Sequence, residues 1–229
     1  MKTLSLVLAV GLAAAAVAPV QAQQRAAGSA SQSGPRDLPV SRAFAMLDRY
    51  YGLPAAQRTR FRPVYTLRLN DRPYSGQAWF VSPDGRRTPV PVTAGRVGRL
   101  PTPAQVRDER ERFLVDAPAG SRFAMTMSVA PDVPLSEQMD ATALAASVTQ
   151  VNAALRSAAG MMRFMVPTFT RVVFQGGAGA TAVMQDGSTQ PLPVVGGSAV
   201  FTPTAMPRAQ AIRFSSAPTA AQLAPAARR

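Results

Sequence analysis

The chain contains neither histidine nor cysteine. Without histidine, the commonest general base and metal ligand is missing, so a Ser-His-Asp or Cys-His centre cannot be assembled in its usual form. Without cysteine there is no thiol nucleophile, disulfide, lipid-bearing thiol or zinc site of the usual kind. The chemistry left to this chain belongs to carboxylates, arginines and backbone loops.

Three groups of residues have the types and spacing for it. Asp108, Glu109 and Glu111 alternate with Arg107, Arg110 and Arg112. A pair of carboxylates converging in a cleft is the apparatus of a glycosidase. Alternating opposite charges instead favour ionised, solvated side chains, so a carboxylate-dependent hydrolase is the remote alternative and the chain reads as non-enzymatic. Gly177-Ala178-Gly179-Ala180-Thr181-Ala182 fits the loose Gly-x-Gly-x-x-Ala form of a dinucleotide loop. A strand pattern with Asp186-Gly187 follows where a helix should start, so the segment reads as a flexible hairpin turn and no cofactor is expected. Arg58, Arg60, Arg62, Arg68 and Arg72 form the candidate anion-binding patch. Guanidinium forks on one surface would bind phosphate or carboxylate bidentately. Tyr65 and Tyr74 could stack nearby, but no nucleic-acid-binding motif surrounds them, so nucleic acid is not an expected partner.

The charge points the same way. The chain has 24 arginines, one lysine and 12 acidic residues. Residues 23–112 hold 16 arginines against 7 acids, and residues 113–229 hold 8 against 5. A basic first half attracts anionic glycans, lipids or lipopolysaccharide. Arginine without lysine, beside much alanine and proline, also fits the bias of a GC-rich genome.

Residues 1–22 have the build of a signal peptide: Lys2, an uncharged apolar run from Leu4 to Val17, and small residues before a cut after Ala22. The run is short for a membrane span, and no second run is long enough, so no transmembrane segment is expected in the mature chain. The expected location is periplasmic or secreted. Residues 23–38 are rich in Gln, Ala, Ser and Gly and read as a disordered linker, and residues 217–229 as a loose tail.

Residues 39–130 read as a helix plus a first β module. Val40, Phe44, Leu47 and Tyr51 form one apolar stripe, stopped by Gly52 and Pro54. Tyr65, Leu67 and Leu69 alternate with polar neighbours, as do Phe123, Met125, Met127 and Val129. Asn70 to Ser75 reads as a turn, Gln77 to Val81 as a strand, and Asp84-Gly85 as a hairpin turn. Pro89 and Pro91 place the strand Arg87 to Val92 at a sheet edge. Residues 131–165 read as a connecting helix, with Leu144, Val148, Val151 and Leu155 on one face and Ser136 or Asp140 at its start. Met161, Met162, Phe164 and Met165 follow as an apolar cluster. Residues 166–216 read as a second β module.

The two modules share sequence. Asp84 to Thr102 and Asp186 to Thr204 align without a gap at an offset of 102, with 8 of 19 positions identical. Unrelated segments would share about one or two. The expected fold is therefore mainly β (α+β), with duplicated antiparallel sandwich-like β modules, an N-terminal helix and a central connecting helix.

The stretch Leu47 to Arg62 and the Asp-Gly…Pro-X-Pro hairpin resemble an uncharacterised group of exported proteins of Gram-negative bacteria, which share a signal peptide, an early helix and similar β segments. The resemblance implies a periplasmic location and brings no activity, cofactor or functional residue. The function expected is a binding or structural role in the cell envelope, with an anionic envelope component or another envelope protein as partner. An accessory role in export or assembly is the alternative.

Overall fold

The computed structural model describes residues 36–118, 121–159 and 167–226. The signal-peptide segment, most of the linker, the Met161–Met165 cluster and the last three residues lie outside the described residues.

The first half begins with β1 (Arg36–Pro39), α1 (Val40–Ala43) and α2 (Leu47–Gly52). It continues through β2 (Phe61–Leu69), β3 (Arg72–Pro73), β4 (Gly76–Val81), β5 (Arg87–Thr93) and β6 (Arg96–Val97). It closes with α3 (Pro103–Arg107), β7 (Arg112–Val115) and β8 (Phe123–Pro131). One antiparallel sheet runs β1-β7-β4-β5-β6-β2-β3, with β8 on the other side of β2. Its inner face is apolar because every second residue points inward. Tyr65, Leu67, Ala78, Phe80, Val90, Val97, Phe113 and Val115 are buried there beneath Val40, Phe44 and Leu47. Phe44 sits at the centre, its ring 5.0 Å from Tyr65 and 5.1 Å from Phe113, both edge-on.

The second half repeats this plan. It contains β9 (Gln138–Asp140), α4 (Ala141–Ala159), β10 (Phe169–Gln175), β11 (Thr181–Met184) and β12 (Thr189–Pro191). There follow β13 (Val194–Val195), β14 (Ser198–Phe201), β15 (Ala209–Arg213) and β16 (Ala220–Pro225). Its strands pair as β9-β15-β11-β12 and β13-β14-β10-β16. Read end to end, that is the first module's order, with β12 and β13 together in the place of β5.

The hydrogen-bond register confirms the duplication. Trp79 opposes Pro89 and Val81 opposes Arg87 in the first copy, and Thr181 opposes Pro191 and Val183 opposes Thr189 in the second, each at the offset of 102. Val92 opposes Val97, and Val194 opposes Ala199. In the Asp-Gly turns, Gly85 N–H donates to Ser82 O and Gly187 N–H to Met184 O. Gly85 and Gly187 hold φ of 83° and 80°, a conformation that favours glycine.

Several expectations change. The helix expected within residues 131–165 is α4, and it touches both halves. It starts at Ala141, directly after β9, as α1 directly follows β1, and packs on β10 and β15 of its own module and on the turn Ala55–Arg58 of the first. Asp140 is its cap, its carboxylate accepting from the N–H groups of Thr142 and Ala143 at 2.7 and 3.2 Å. The second module therefore spans 138–225, not 166–216. The supposed tail from Ala217 contains β16, which pairs along β10 and buries Ala221 and Leu223. Its alanine-rich composition hid a strand whose alternation is of small residues. Arg36 to Leu38, assigned to the linker, belong to β1. The early helix is interrupted, because Met46 adopts a left-handed φ of 72° between α1 and α2. Strand β5 is flanked on both sides, but β6 reaches only Val92 and Thr93. Gly98 N–H donates to Pro91 O at 2.8 Å just beyond them, so it is Pro89 that keeps an open side there, as a residue without an N–H requires. The glycine segment Gly176–Gly179 crosses from one sheet to another and makes no hairpin.

The modules share a core. Phe61 from β2 is buried among Leu144, Val148, Val172, Phe174 and Leu223 of the second half, with Tyr50, Leu53 and Val129 packed against the same cluster. Strands β8 and β16, equivalent in the two modules, lie against one another.

Candidate anion-binding face

The outer face of the first sheet follows from the same alternation that builds the core. On β2, Phe61, Pro63, Tyr65 and Leu67 point inward, so Arg62, Val64, Thr66 and Arg68 point outward. Thr66 is flanked by Arg96 of β6 on one side and Thr126 of β8 on the other. Val64 lies opposite Ser128, and Arg62 opposite Ala130. Val64 is only 9 % exposed yet belongs to neither core cluster, so the outer-face side chains around it cover it. The long aliphatic stems of arginine suit that task while the charged heads stay near water.

Arg96 is the unusual group of this face. It makes no ion pair among the described residues. Burial pushes its guanidinium below the usual arginine value, and the neighbouring charge of Arg62 pushes it further down. The group remains cationic at neutral pH, since arginine starts far above it. The charge of Arg62 thus acts on Arg96 across the outer face, and Arg96 has no carboxylate paired with it among the described residues. Among the described residues the only carboxylate paired with Arg62 is Asp132, at 3.6 Å with both side chains about half exposed, a pairing too solvated to contribute much. An anion placed between the two guanidinium groups would remove the repulsion and gain charge-assisted hydrogen bonds.

The structure splits the arginines that the sequence grouped. Arg58 caps the end of α2, its Nε donating to Leu53 O at 3.3 Å and its guanidinium lying 5.6 Å from the Tyr50 ring centre. Arg60 is tied through its backbone N–H to Gln150 Oε1 of α4 at 2.7 Å. Arg68 donates to the carbonyl of Asp71 in the adjoining turn. Arg72 is exposed on β3 beyond that turn. Six residues of strand separate Arg62 from Arg68, about 20 Å, so one small anion cannot meet both. Of the five, Arg62 is the one whose charge acts on Arg96, while Arg68, two residues along β2 from Thr66, is drawn to the Asp71 carbonyl. Arg96 is separated from Arg62 by 33 residues of sequence and reaches this face only through its pairing with Thr66.

The other candidates are accounted for locally. Asp108 is held in its charged form by Arg110, whose guanidinium donates to it at 3.1 and 3.0 Å, and its carboxyl lies below the usual range. Glu111 is buried and receives Gln105 Nε2 at 3.5 Å. Asp108 is thus shifted away from the raised pKa that a general acid needs. Tyr74 donates to Gln77 O and Asp116 O at 2.9 and 2.7 Å, which commits its hydroxyl. Tyr65 is buried, with its hydroxyl donating to Ala45 O at 2.6 Å, so neither ring offers a stacking surface.

No protein-family model, curated protein or solved structure matches this chain.

Proposed function

We propose that the protein is an exported, non-enzymatic component of the cell envelope, and that its first module contacts anionic envelope material through the outer face of β2 and β6. The observation that carries this reading is the arginine-bearing outer face of β2 and β6: Arg62 and Arg68 point outward from β2, Arg96 stands opposite Thr66 between them, and Arg96 makes no ion pair among the described residues. The charge distribution supports it. Residues 36–131 contain 16 arginines against 8 acids, whereas residues 138–225 contain 5 against 2. Periplasmic location rests on the signal-like Met1 to Ala22.

Co-sedimentation of the purified protein with outer-membrane, inner-membrane and peptidoglycan fractions tests the proposal. Binding at low salt that falls steeply as salt rises is expected, because exposed charge contacts are screened. Absence of binding at low salt would overturn it. A second reading, docking of a protein partner on a sheet edge, is favoured by the exposed Val194 and Val195 of the edge strand β13, at 70 % and 57 % exposure. Binding to one fraction that persists at high salt would select it.

A further inference from the structure

The duplication places a third arginine in the arrangement, on the other module. Strands β6 and β14 correspond at the offset of 102, so Ala199 stands where Val97 does. Ala199 pairs with Phe174 on β10. In the first module Arg96 pairs with Thr66, which puts Val97 level with Tyr65. Phe174 therefore occupies the position of Tyr65, and both are fully buried aromatic residues. Three residues earlier on each strand, Arg171 occupies the position of Arg62. Their partners agree: Arg62 opposes Ala130 on β8, and Arg171 opposes Ala224 on β16.

Between these two arginines lie only β8 and β16, side by side. Val129 of β8 and Ala221 and Leu223 of β16 face one common core, so the opposite faces of both strands turn outward together. The outward positions are Ala124, Thr126 and Ser128 on β8, with Ala130 of the same parity but itself buried, and Ala220, Gln222 and Ala224 on β16. The floor is thus small or polar, with no large apolar side chain to enter a lipid phase. Strands β8 and β16 are in contact but share no ladder, so β2 and β10 stand on the order of 15 Å apart or more. A single phosphate cannot reach both walls, whereas a chain of anionic groups can. Arg171 also has a buried Nε with no hydrogen-bond partner, a state that costs free energy until an acceptor fills it.

We infer that the joined outer faces of β8 and β16 form a trough for a linear polyanion, gripped by Arg62 and Arg96 from the first module and by Arg171 from the second. This rests on the proposed anion-contacting role and specifies its ligand as an extended chain rather than an isolated anion or a membrane surface. Two linked sites bind a chain more tightly than either binds one group, because the second contact is intramolecular.

The test is calorimetric titration of the whole protein, at fixed ionic strength, with inorganic phosphate, a short linear polyphosphate and phosphatidylglycerol vesicles. Polyphosphate is expected to bind at least about tenfold more tightly than phosphate. Arg171→Gln should abolish that advantage and leave phosphate binding unchanged, while Arg62→Gln should weaken both. The wild-type comparison needs no variant, so it stands even if a substitution disturbs folding. Equal affinity for phosphate and polyphosphate would overturn the inference. So would an Arg171→Gln protein that keeps the full polyphosphate affinity, and in that case a loss with Arg62→Gln would leave the first-module reading intact. Vesicle binding as tight as polyphosphate binding and indifferent to Arg171→Gln would favour a membrane surface instead. No binding of any probe would end both proposals.

Discussion

Replacing Phe61 by alanine should weaken both modules at once. Phe61 belongs to β2 of the first module by its backbone, but its ring is buried in the second module's core, 5 % exposed. It also meets Tyr50 edge-on at 5.8 Å. Removing a buried phenyl ring costs about 3–5 kcal/mol through lost transfer energy and the cavity left behind, and the lost ring contact adds about 0.5–1.5 kcal/mol. With a urea dependence of about 2 kcal/mol per molar, the unfolding midpoint should fall by about 2 M. Two probes separate the modules. Trp79 is the only tryptophan and lies on β4, so its fluorescence reports the first module, while far-ultraviolet circular dichroism reports both. In the wild-type protein the two transitions should coincide, since one buried cluster draws on both halves. In the variant they should move down together or separate, with the second module melting first. A midpoint shifted by less than about 0.5 M, against the expected cavity cost, would show that Phe61 is not the link.

Three further outcomes follow from particular contacts. Burial raises the pKa of Tyr65 and Tyr51, and burial with nearby Asp116 raises that of Tyr74. The fold thus holds the neutral phenols, and their contribution is complete below the unfolded value near 10 and is lost as pH rises above it. For Tyr65 the loss is about 1.4 kcal/mol per pH unit. Urea unfolding between about pH 8 and about pH 11 measures it, and stability flat across that range would contradict it. Gly95 and Gly197 are counterparts with φ of 80° and 76°, but a Cβ on Gly95 would lie 2.8 Å from Leu67 O and one on Gly197 would meet nothing within 4 Å. Gly197→Ala should cost about 1 kcal/mol, the left-handed penalty alone, and Gly95→Ala clearly more; equal costs by chemical denaturation would refute the packing argument. Asp140→Ala should cost about 1 kcal/mol by removing the cap of α4, read from the thermal midpoint, and an unchanged midpoint would show that the cap is dispensable.

The hairpins were legible in the sequence because their determinants are local. Asp84-Gly85 and Asp186-Gly187 specify the turn by the left-handed conformation they require, and the gapless offset preserved the register on both sides. The full duplication was not legible, because its offset changes along the chain. Arg62 and Arg171 are 109 positions apart, not 102, after two helical segments of different length. The trace that survives is Arg62-Pro-Val-Tyr65 against Arg171-Val-Val-Phe174, an arginine three residues before a buried aromatic. Strand β16 was missed because alanines bury little and carry a weak alternation. Arg96 is not legible there because sheet pairing, not sequence distance, sets it opposite Thr66, on the outer face that carries Arg62 and Arg68.

A comparison of two variants with the same loss of charge tests the central claim most directly. Arg96→Gln and Arg72→Gln each remove one guanidinium, the first from the outer face of β6 and the second from the exposed turn end on β3. In low-salt co-sedimentation with envelope fractions, Arg96→Gln should lose most of the binding and Arg72→Gln should retain nearly all of it. Equal losses would contradict the account, since attraction would then depend on total charge and not on the paired guanidinium groups of one sheet face.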